Sequence, residues 1–137
     1  MKLLFTLCFL ISFQTLANDW YIQDKDGFFL LTSKEDKEHY YQLRDVGGGP
    51  EFQQVEILRG DIVKLIYNAG TAGTSAPISM IRAIVYNTKT KKFLGDYPLA
   101  YRSVMKMSFE QPQWQIKENI LYVSDSNYDE IWTIKLP

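Results

Sequence analysis

The residue types that most often carry catalysis are scarce in this chain. Its only histidine, His39, lies in a charged stretch beside Tyr40 and Tyr41. Nucleophilic catalysis usually requires a base next to the nucleophile, and no serine stands in the G-x-S-x-G pattern of a nucleophile elbow. We therefore expect His39 to be a solvated surface histidine, and we expect the protein not to be an enzyme.

The acidic residues suggest two other kinds of chemistry. Asp125, with Asp129 and Glu130, could serve as the paired carboxylates of a glycan hydrolase, but they fall in a predicted turn, where acidic side chains are common. The segment Asp24–Gly27 begins like a calcium-binding loop, yet the remaining ligands and the closing glutamate are missing at the expected spacing. The sequence predicts no metal and no cofactor.

A segment rich in small and hydroxyl-bearing residues, Asn68–Pro77, joins two strongly apolar predicted strands. A phosphate-binding loop would need a lysine after the glycines and a helix behind them, whereas a proline and a strand follow here. Loops on rigid β scaffolds often carry binding. We therefore expect this loop to bind a partner, against the alternative of a hairpin connection without function. The candidate residues are Gly70, Thr71, Gly73, Thr74 and Ser75.

A second candidate surface is aromatic. Tyr97, Tyr101 and Arg102 follow a predicted strand, and tyrosine and arginine are favoured as anchors in protein interfaces. Aromatic residues make up 15% of the chain, so the alternative is that this cluster packs a core. We assign these three residues to partner binding as a hypothesis.

The elements that must position these residues are strands. Apolar and polar residues alternate in short runs between turn residues, which predicts an all-β domain of about nine or ten strands. The architecture expected is an antiparallel β-sandwich or a small barrel-like meander. The predicted strands are Trp20–Gln23, Gly27–Thr32, Tyr40–Arg44, Phe52–Leu58, Asp61–Tyr67, Met80–Tyr86, Lys91–Leu94, Trp114–Lys117, Ile120–Ser124 and Ile131–Leu136.

Two of these strands, Asp61–Tyr67 and Met80–Tyr86, are apolar at successive positions, which predicts central strands covered on both faces. In the last strand, Trp132, Ile134 and Leu136 share one face, which should be core. One short helix is compatible with the pattern, and its only candidates are Ser33–His39 and Ser103–Phe109.

The N-terminus has the layout of a secretory signal peptide. Lys2 precedes an apolar run, Leu3–Phe13, and Ala17 precedes a polar pair, which places cleavage after residue 17. The run is too short for a transmembrane anchor, which needs about 20 apolar residues, so no stable membrane insertion is expected after cleavage. The predicted organisation is a signal peptide over 1–17 and a single β-rich domain over 18–137.

Cleavage would also remove Cys8, the only cysteine, and leave a chain without disulfides. Small secreted animal domains usually depend on disulfides, so a cysteine-free exported domain favours a bacterial envelope protein, periplasmic or secreted. The 15 basic and 16 acidic residues are interleaved, and no basic face for nucleic acid is predicted.

These observations predict an exported periplasmic binding protein with a protein partner. The narrower hypothesis is an inhibitor or immunity protein that blocks an envelope-directed hydrolase or toxin through the Gly/Thr/Ser loop. Two alternatives stay open. One is an envelope accessory or structural domain whose strand edges pair with a partner, and the other is a carboxylate-dependent glycan hydrolase.

The signal-peptide assignment predicts the mass of the exported protein. In a bacterial host, the periplasmic fraction should contain a chain that begins at Asn18, because Thr15 and Ala17 present small side chains to the peptidase. Intact-mass measurement of that fraction checks the prediction. An uncleaved chain with Met1, dissolved in the cell interior, would contradict it.

Overall fold

The computed structural model describes residues 19–73, 77–103 and 109–137, so the predicted signal peptide and its cleavage site lie outside the described residues. The described chain forms ten strands and no helix. The strands are β1 (Trp20–Lys25), β2 (Phe28–Ser33), β3 (Tyr40–Gln42), β4 (Glu51–Arg59), β5 (Ile62–Ala72), β6 (Ile78–Asn87), β7 (Lys92–Ser103), β8 (Gln113–Lys117), β9 (Ile120–Asp125) and β10 (Glu130–Lys135).

The strands form three antiparallel sheets in which neighbours in sequence are neighbours in space. The orders are β1-β2-β3, β4-β5-β6-β7 and β10-β9-β8. Tight turns make this pairing possible, because they contain residues that adopt positive φ. Asp26 and Gly27, at φ 54° and 84°, join β1 to β2, and Glu118 and Asn119, at 50° and 67°, join β8 to β9. The all-β, antiparallel prediction is confirmed, and the sheets are three separate meanders.

The four-stranded central sheet carries a core on each face. Val63, Leu65 and Tyr67 of β5 pack in one cluster with the N-terminal sheet, which contributes residues such as Leu31. The neighbouring Ile62 faces the other way, toward the β8–β10 sheet. Both faces of β5 and β6 are therefore buried, as their apolar sequences predicted.

The face of β10 that was expected to be core is confirmed. Ile134 and Leu136 are buried and Trp132 packs against the same cluster, whereas Ile131, on the other face, is 74% exposed. No helix within the described ranges is long and apolar enough to cross a membrane.

The residues Ser33–His39 do not form the short helix that the sequence allowed. β2 extends through Ser33, and a turn follows in which the Asp36 carboxylate accepts a hydrogen bond from the Glu38 backbone N–H, at 3.0 Å. Aspartate that bonds the backbone two residues on favours a turn over a helix. The second helix candidate, Ser103–Phe109, falls largely on residues 104–108, outside the described residues.

The predicted loop Asn68–Pro77 is shorter than expected. β5 runs to Ala72 and β6 starts at Ile78, so residues 73–77 form the connection, of which 74–76 lie outside the described residues. β7 likewise extends to Ser103, well beyond the predicted end at Leu94. Backbone pairing with β6 extends both strands through residues whose own strand propensity is weak.

Two glycines make a close backbone contact beside β5. Gly47 and Gly70 form a parallel bridge, and the Thr71 N–H donates to the Gly47 carbonyl at 3.0 Å. A Cβ atom on Gly70 would lie 2.0 Å from the Gly47 carbonyl oxygen, and Gly70 has φ +112°. Only glycine allows this approach. The contact attaches the segment after β3 to the central sheet.

Substitution of Gly70 should therefore be much more destabilising than substitution of an open turn glycine. We expect Gly70→Ala to lower the free energy of unfolding by about 3 kcal/mol or more, because backbone strain and steric overlap add. Gly27→Ala is the control: Gly27 also has positive φ, but a Cβ there meets nothing within 4 Å. Its expected loss is about 1 kcal/mol. Urea unfolding measures both, and equal losses would contradict the close-contact explanation.

Candidate functional site

A buried ion pair lies on the face of the central sheet that also carries Tyr67. Arg82 of β6 donates from Nε to Asp96 Oδ1 of β7 at 2.9 Å, and from Nη2 to the Asp96 backbone oxygen at 3.0 Å. The two side chains are only 11% and 6% exposed. Charges removed from water in this way require a well-aligned partner, and Asp96 provides one.

Tyr67 of β5 completes this network. Its hydroxyl donates to Asp96 Oδ2 at 2.5 Å and accepts from the backbone N–H of Arg44 at 3.3 Å. Burial raises the pKa of Asp96, and the neighbouring charges of Arg82 and Arg44 oppose that rise. The pKa of Tyr67 is also raised, by burial and then by the Asp96 charge. One carboxylate thus joins β5, β6 and β7.

A second buried carboxylate attaches the β9–β10 turn to β7. Asp125 is 1% exposed and accepts a very short hydrogen bond from the Tyr101 hydroxyl. Its other oxygen accepts from the backbone N and the side-chain Nδ2 of Asn127, both at 3.0 Å. Burial, followed by this carboxylate, raises the pKa of Tyr101. These bonds hold the turn at residues 125–130 in one position.

A polar cleft of about 350 Å³ lies between the two carboxylates. We call it the ion-pair cleft; its lining includes Arg44, Arg82, Asp96, Tyr101, Glu130 and Trp132. A wider cleft of about 600 Å³ shares Asp125 and Glu130, and its other charged residues, Glu110 and Asp129, are also acidic.

The predicted loop residues lie at one end of the central sheet. Gly70 is buried in the backbone contact with Gly47, whereas Thr71 is exposed, with Oγ1 3.1 Å from Ser79 Oγ. Ser79 is in turn the register partner of Arg102 on β7, so Thr71, Ser79 and Arg102 lie side by side across three strands. Gly73 is exposed, and Thr74 and Ser75 lie outside the described residues.

The predicted aromatic surface is divided by the structure. Tyr97 packs with Trp114 and Trp132, at ring-centroid distances of 6.3 and 5.8 Å, within the C-terminal core cluster. Tyr101 is buried and bonded to Asp125, while Arg102 is exposed. Tyr97 is therefore partly buried against the C-terminal core, and Tyr101 supports the turn at residues 125–130.

The start of β6, the segment before β8 and the β9–β10 turn meet beside Tyr101. A hollow of about 280 Å³ is lined by Ile78 and Met80 of β6, Tyr101 of β7, and Phe109, Asn127 and Tyr128. Gln111 fastens this region, since its side chain bonds both the N–H and the carbonyl of Tyr101, at 2.7 and 2.9 Å. Thr71, Ser79 and Arg102 lie at the same end of the central sheet but on its other face, because they alternate along the strands with Met80 and Tyr101. We call the hollow and this row together the loop end. Tyr128 is 58% exposed on it.

His39 is not the solvated residue that the sequence suggested. Its ring stacks on Phe93 at 4.6 Å with an interplanar angle of 17°, and it also contacts Trp20 and Tyr86. Its Nε2 is buried without a hydrogen-bond partner in the described chain. His39 belongs to an aromatic cluster beside the N-terminal sheet, because rings distant in sequence pack around it.

No group of three or more His, Cys, Asp or Glu residues within 19–73, 77–103 and 109–137 could hold a metal ion. The sequence reading missed the Arg82–Asp96–Tyr67 network, although one signal was present. Arg82 is a lone charge in an otherwise apolar strand, which implies a buried partner. The partner itself could not be read, because bulges shift the register between β6 and β7.

No protein-family model, no curated protein and no solved structure matches this chain. What this protein binds must therefore be inferred from its fold and from the geometry of the loop end and the ion-pair cleft.

Removing one partner of the buried ion pair should cost more stability than removing both partners. Arg82→Leu should lower the free energy of unfolding by about 3–5 kcal/mol, because it leaves the Asp96 carboxylate buried and unpaired. Adding Asp96→Leu should recover much of that loss. Urea unfolding measures both variants.

The control is the Lys64–Glu56 pair, in which Glu56 is 47% exposed. Glu56→Gln should change stability by less than about 1 kcal/mol. If the Arg82→Leu variant lost no more than this control, the ion pair would not hold the sheet as described.

Proposed function

We propose that the protein is an exported binding protein that recognises a protein partner through the loop end. In its narrower form, the proposal is an inhibitor or immunity protein that blocks an envelope-directed hydrolase. The observation that supports it is the exposed Tyr128 on a turn held rigidly by the Tyr101–Asp125 bond.

Rigidity of the turn favours binding. Asn127 Nδ2 donates to the Glu110 carbonyl at 2.6 Å, and the Ser126 hydroxyl donates to the Glu110 carboxylate. A turn already fixed in the free protein loses little conformational entropy when a partner docks, so more of the contact energy contributes to affinity.

The residue types at the loop end also suit an interface. Tyr128 and Arg102 are the exposed anchors, and tyrosine and arginine are enriched among residues that dominate binding energy. The hollow beside Tyr128 can receive a side chain of the partner. On the other face of the sheet, the hydroxyls of Thr71 and Ser79 can exchange hydrogen bonds with a partner that extends around the ends of β6 and β7.

The glycan-hydrolase alternative has less support from this geometry. Asp125 accepts three hydrogen bonds and is almost fully buried, which suits a structural role better than proton transfer to a substrate. His39 lies in its aromatic cluster with Phe93 and Trp20, and these rings offer it no nucleophile.

A partner-capture experiment with matched variants tests the proposal. Immobilised protein is incubated with periplasmic extract of its own organism, and the affinity for the captured partner is measured. Tyr128→Ala and Arg102→Ala should each weaken capture by about tenfold or more, as expected for interface anchors. Thr71→Ala should weaken it less, because it removes only one hydroxyl at the margin.

The control is Tyr40→Ala, which removes a comparably exposed tyrosine, 50% accessible, from β3 in the N-terminal sheet. It should bind as the unmodified protein does. Unchanged capture by both Tyr128→Ala and Arg102→Ala would refute the loop end as the site. Hydrolysis of cell-wall glycan that disappears with Asp129→Asn would instead establish the enzyme alternative.

A further inference from the structure

We infer that the ion-pair cleft is a binding site for a small zwitterion of dipeptide size. The carboxylate would bind at Arg82 and Arg44, the ammonium at Glu130, and an apolar side chain against Trp132. The cleft borders the loop end, with which it shares Tyr101 and Tyr128, but the inference does not depend on the proposed recognition of a protein partner.

The positive end of the cleft has unused donors. A guanidinium carries five N–H groups, and Arg82 uses only Nε and Nη2, both toward Asp96. Its Nη1 has no hydrogen-bond partner among the described residues, and the side chain lines the cleft. Because Asp96 already holds the guanidinium in place, a ligand carboxylate would meet a pre-oriented donor.

Arg44 adds a second positive charge at the same end. Its side chain is exposed at the cleft, and it is close enough to Asp96 to lower the pKa of that carboxyl group, against the larger effect of burial. Two guanidiniums therefore share one carboxylate. The excess of one positive charge attracts an anion to this end.

The C-terminal sheet contributes two negative residues to the cleft, Asp125 and Glu130. Asp125 has both oxygens occupied by protein donors, so it contributes charge but little free acceptor capacity. Glu130 is exposed, lines the cleft and forms no ion pair with any described residue. Its carboxylate is therefore available for a ligand ammonium group.

Apolar surfaces connect the two ends. Trp132 and Met80 line the cleft together with Pro98 and Val46. Trp132 is half-buried and its ring is supported by Tyr97. A supported indole offers a fixed surface for an aliphatic side chain, and its face also attracts a nearby ammonium group.

Charge and size together select the class of ligand. A simple anion would be repelled by Glu130 and Asp125, and a simple cation by the two arginines. A molecule with opposite charges at its two ends matches both. The volume of about 350 Å³ is near the lower limit for small-molecule sites, which suits a dipeptide better than a larger ligand.

An NMR titration with three probes tests this assignment. The purified protein is titrated with the dipeptide Ala-Leu, with its N-acetyl derivative and with its C-terminal amide. The indole N–H of Trp132, assigned with Trp132→Phe, should shift with Ala-Leu, while that of Trp20 in the N-terminal core stays fixed. Each derivative should bind about tenfold more weakly, because one charged contact is lost.

Two exposed charged residues of the cleft, Arg44 and Glu130, can be substituted to test the site. Arg44→Gln and Glu130→Gln should each weaken Ala-Leu binding by about tenfold, and neither removes a buried group. Each variant should also lose its sensitivity to one derivative: Glu130→Gln should bind the acetylated and free dipeptides about equally, and Arg44→Gln should do so for the amide and free acid.

Arg102→Gln and Glu118→Gln are the matched controls, because both residues are exposed and neither lines the cleft. They should leave dipeptide binding unchanged, even where Arg102 substitution weakens capture of a protein partner, so the two proposals can fail independently. The assignment is overturned if Ala-Leu causes no saturable shift of Trp132, if the derivatives bind as well as the dipeptide, or if the controls weaken binding as much as the cleft variants.

Discussion

The buried charge of Arg82 is the constraint on which the arrangement of the central sheet depends. A guanidinium in a strand covered on both faces is tolerable only with a counter-charge, which Asp96 supplies from the next strand. Tyr67 then satisfies the second carboxylate oxygen and binds the backbone of Arg44. Because each of β5, β6 and β7 contributes one member, a slip of register would leave a charge unpaired. Arg82 and Asp96 of this network also line the ion-pair cleft.

The three meanders have different roles around this sheet. The N-terminal sheet closes one core, in which His39 and its aromatic neighbours take part, and the close contact of Gly47 with Gly70 brings the segment after β3 to the sheet. The C-terminal sheet closes the other core and carries its β9–β10 turn to the end of β7. The cleft is lined by the segment after β3, the central sheet and the C-terminal sheet, so its shape depends on how these three parts pack.

The loop end and the cleft are adjacent surfaces with shared supports. Tyr101 and Tyr128 border both of them, and the Tyr101–Asp125 bond positions the turn from which each is built. Their chemistry nevertheless differs: the loop end exposes Tyr128 and Arg102, whereas the cleft is lined by charges of both signs and by apolar side chains. Arg102 belongs only to the first, and Arg44 and Glu130 only to the second.

The sequence by itself determined the all-β class, the ten strands to within a few residues at most ends, and the burial of β5 and β6 on both faces, because alternation and turn residues act over a few positions. Only the tertiary structure decided that β5 and β7 extend through weak strand formers and that His39 stacks within an aromatic cluster. It also decided that Tyr97 packs against the C-terminal core while Thr71 and Arg102 share one end of the sheet. It also decided that Asp96 is the partner of Arg82. These outcomes depend on strand register and on contacts between residues far apart in the chain, and local patterns carry no information about either.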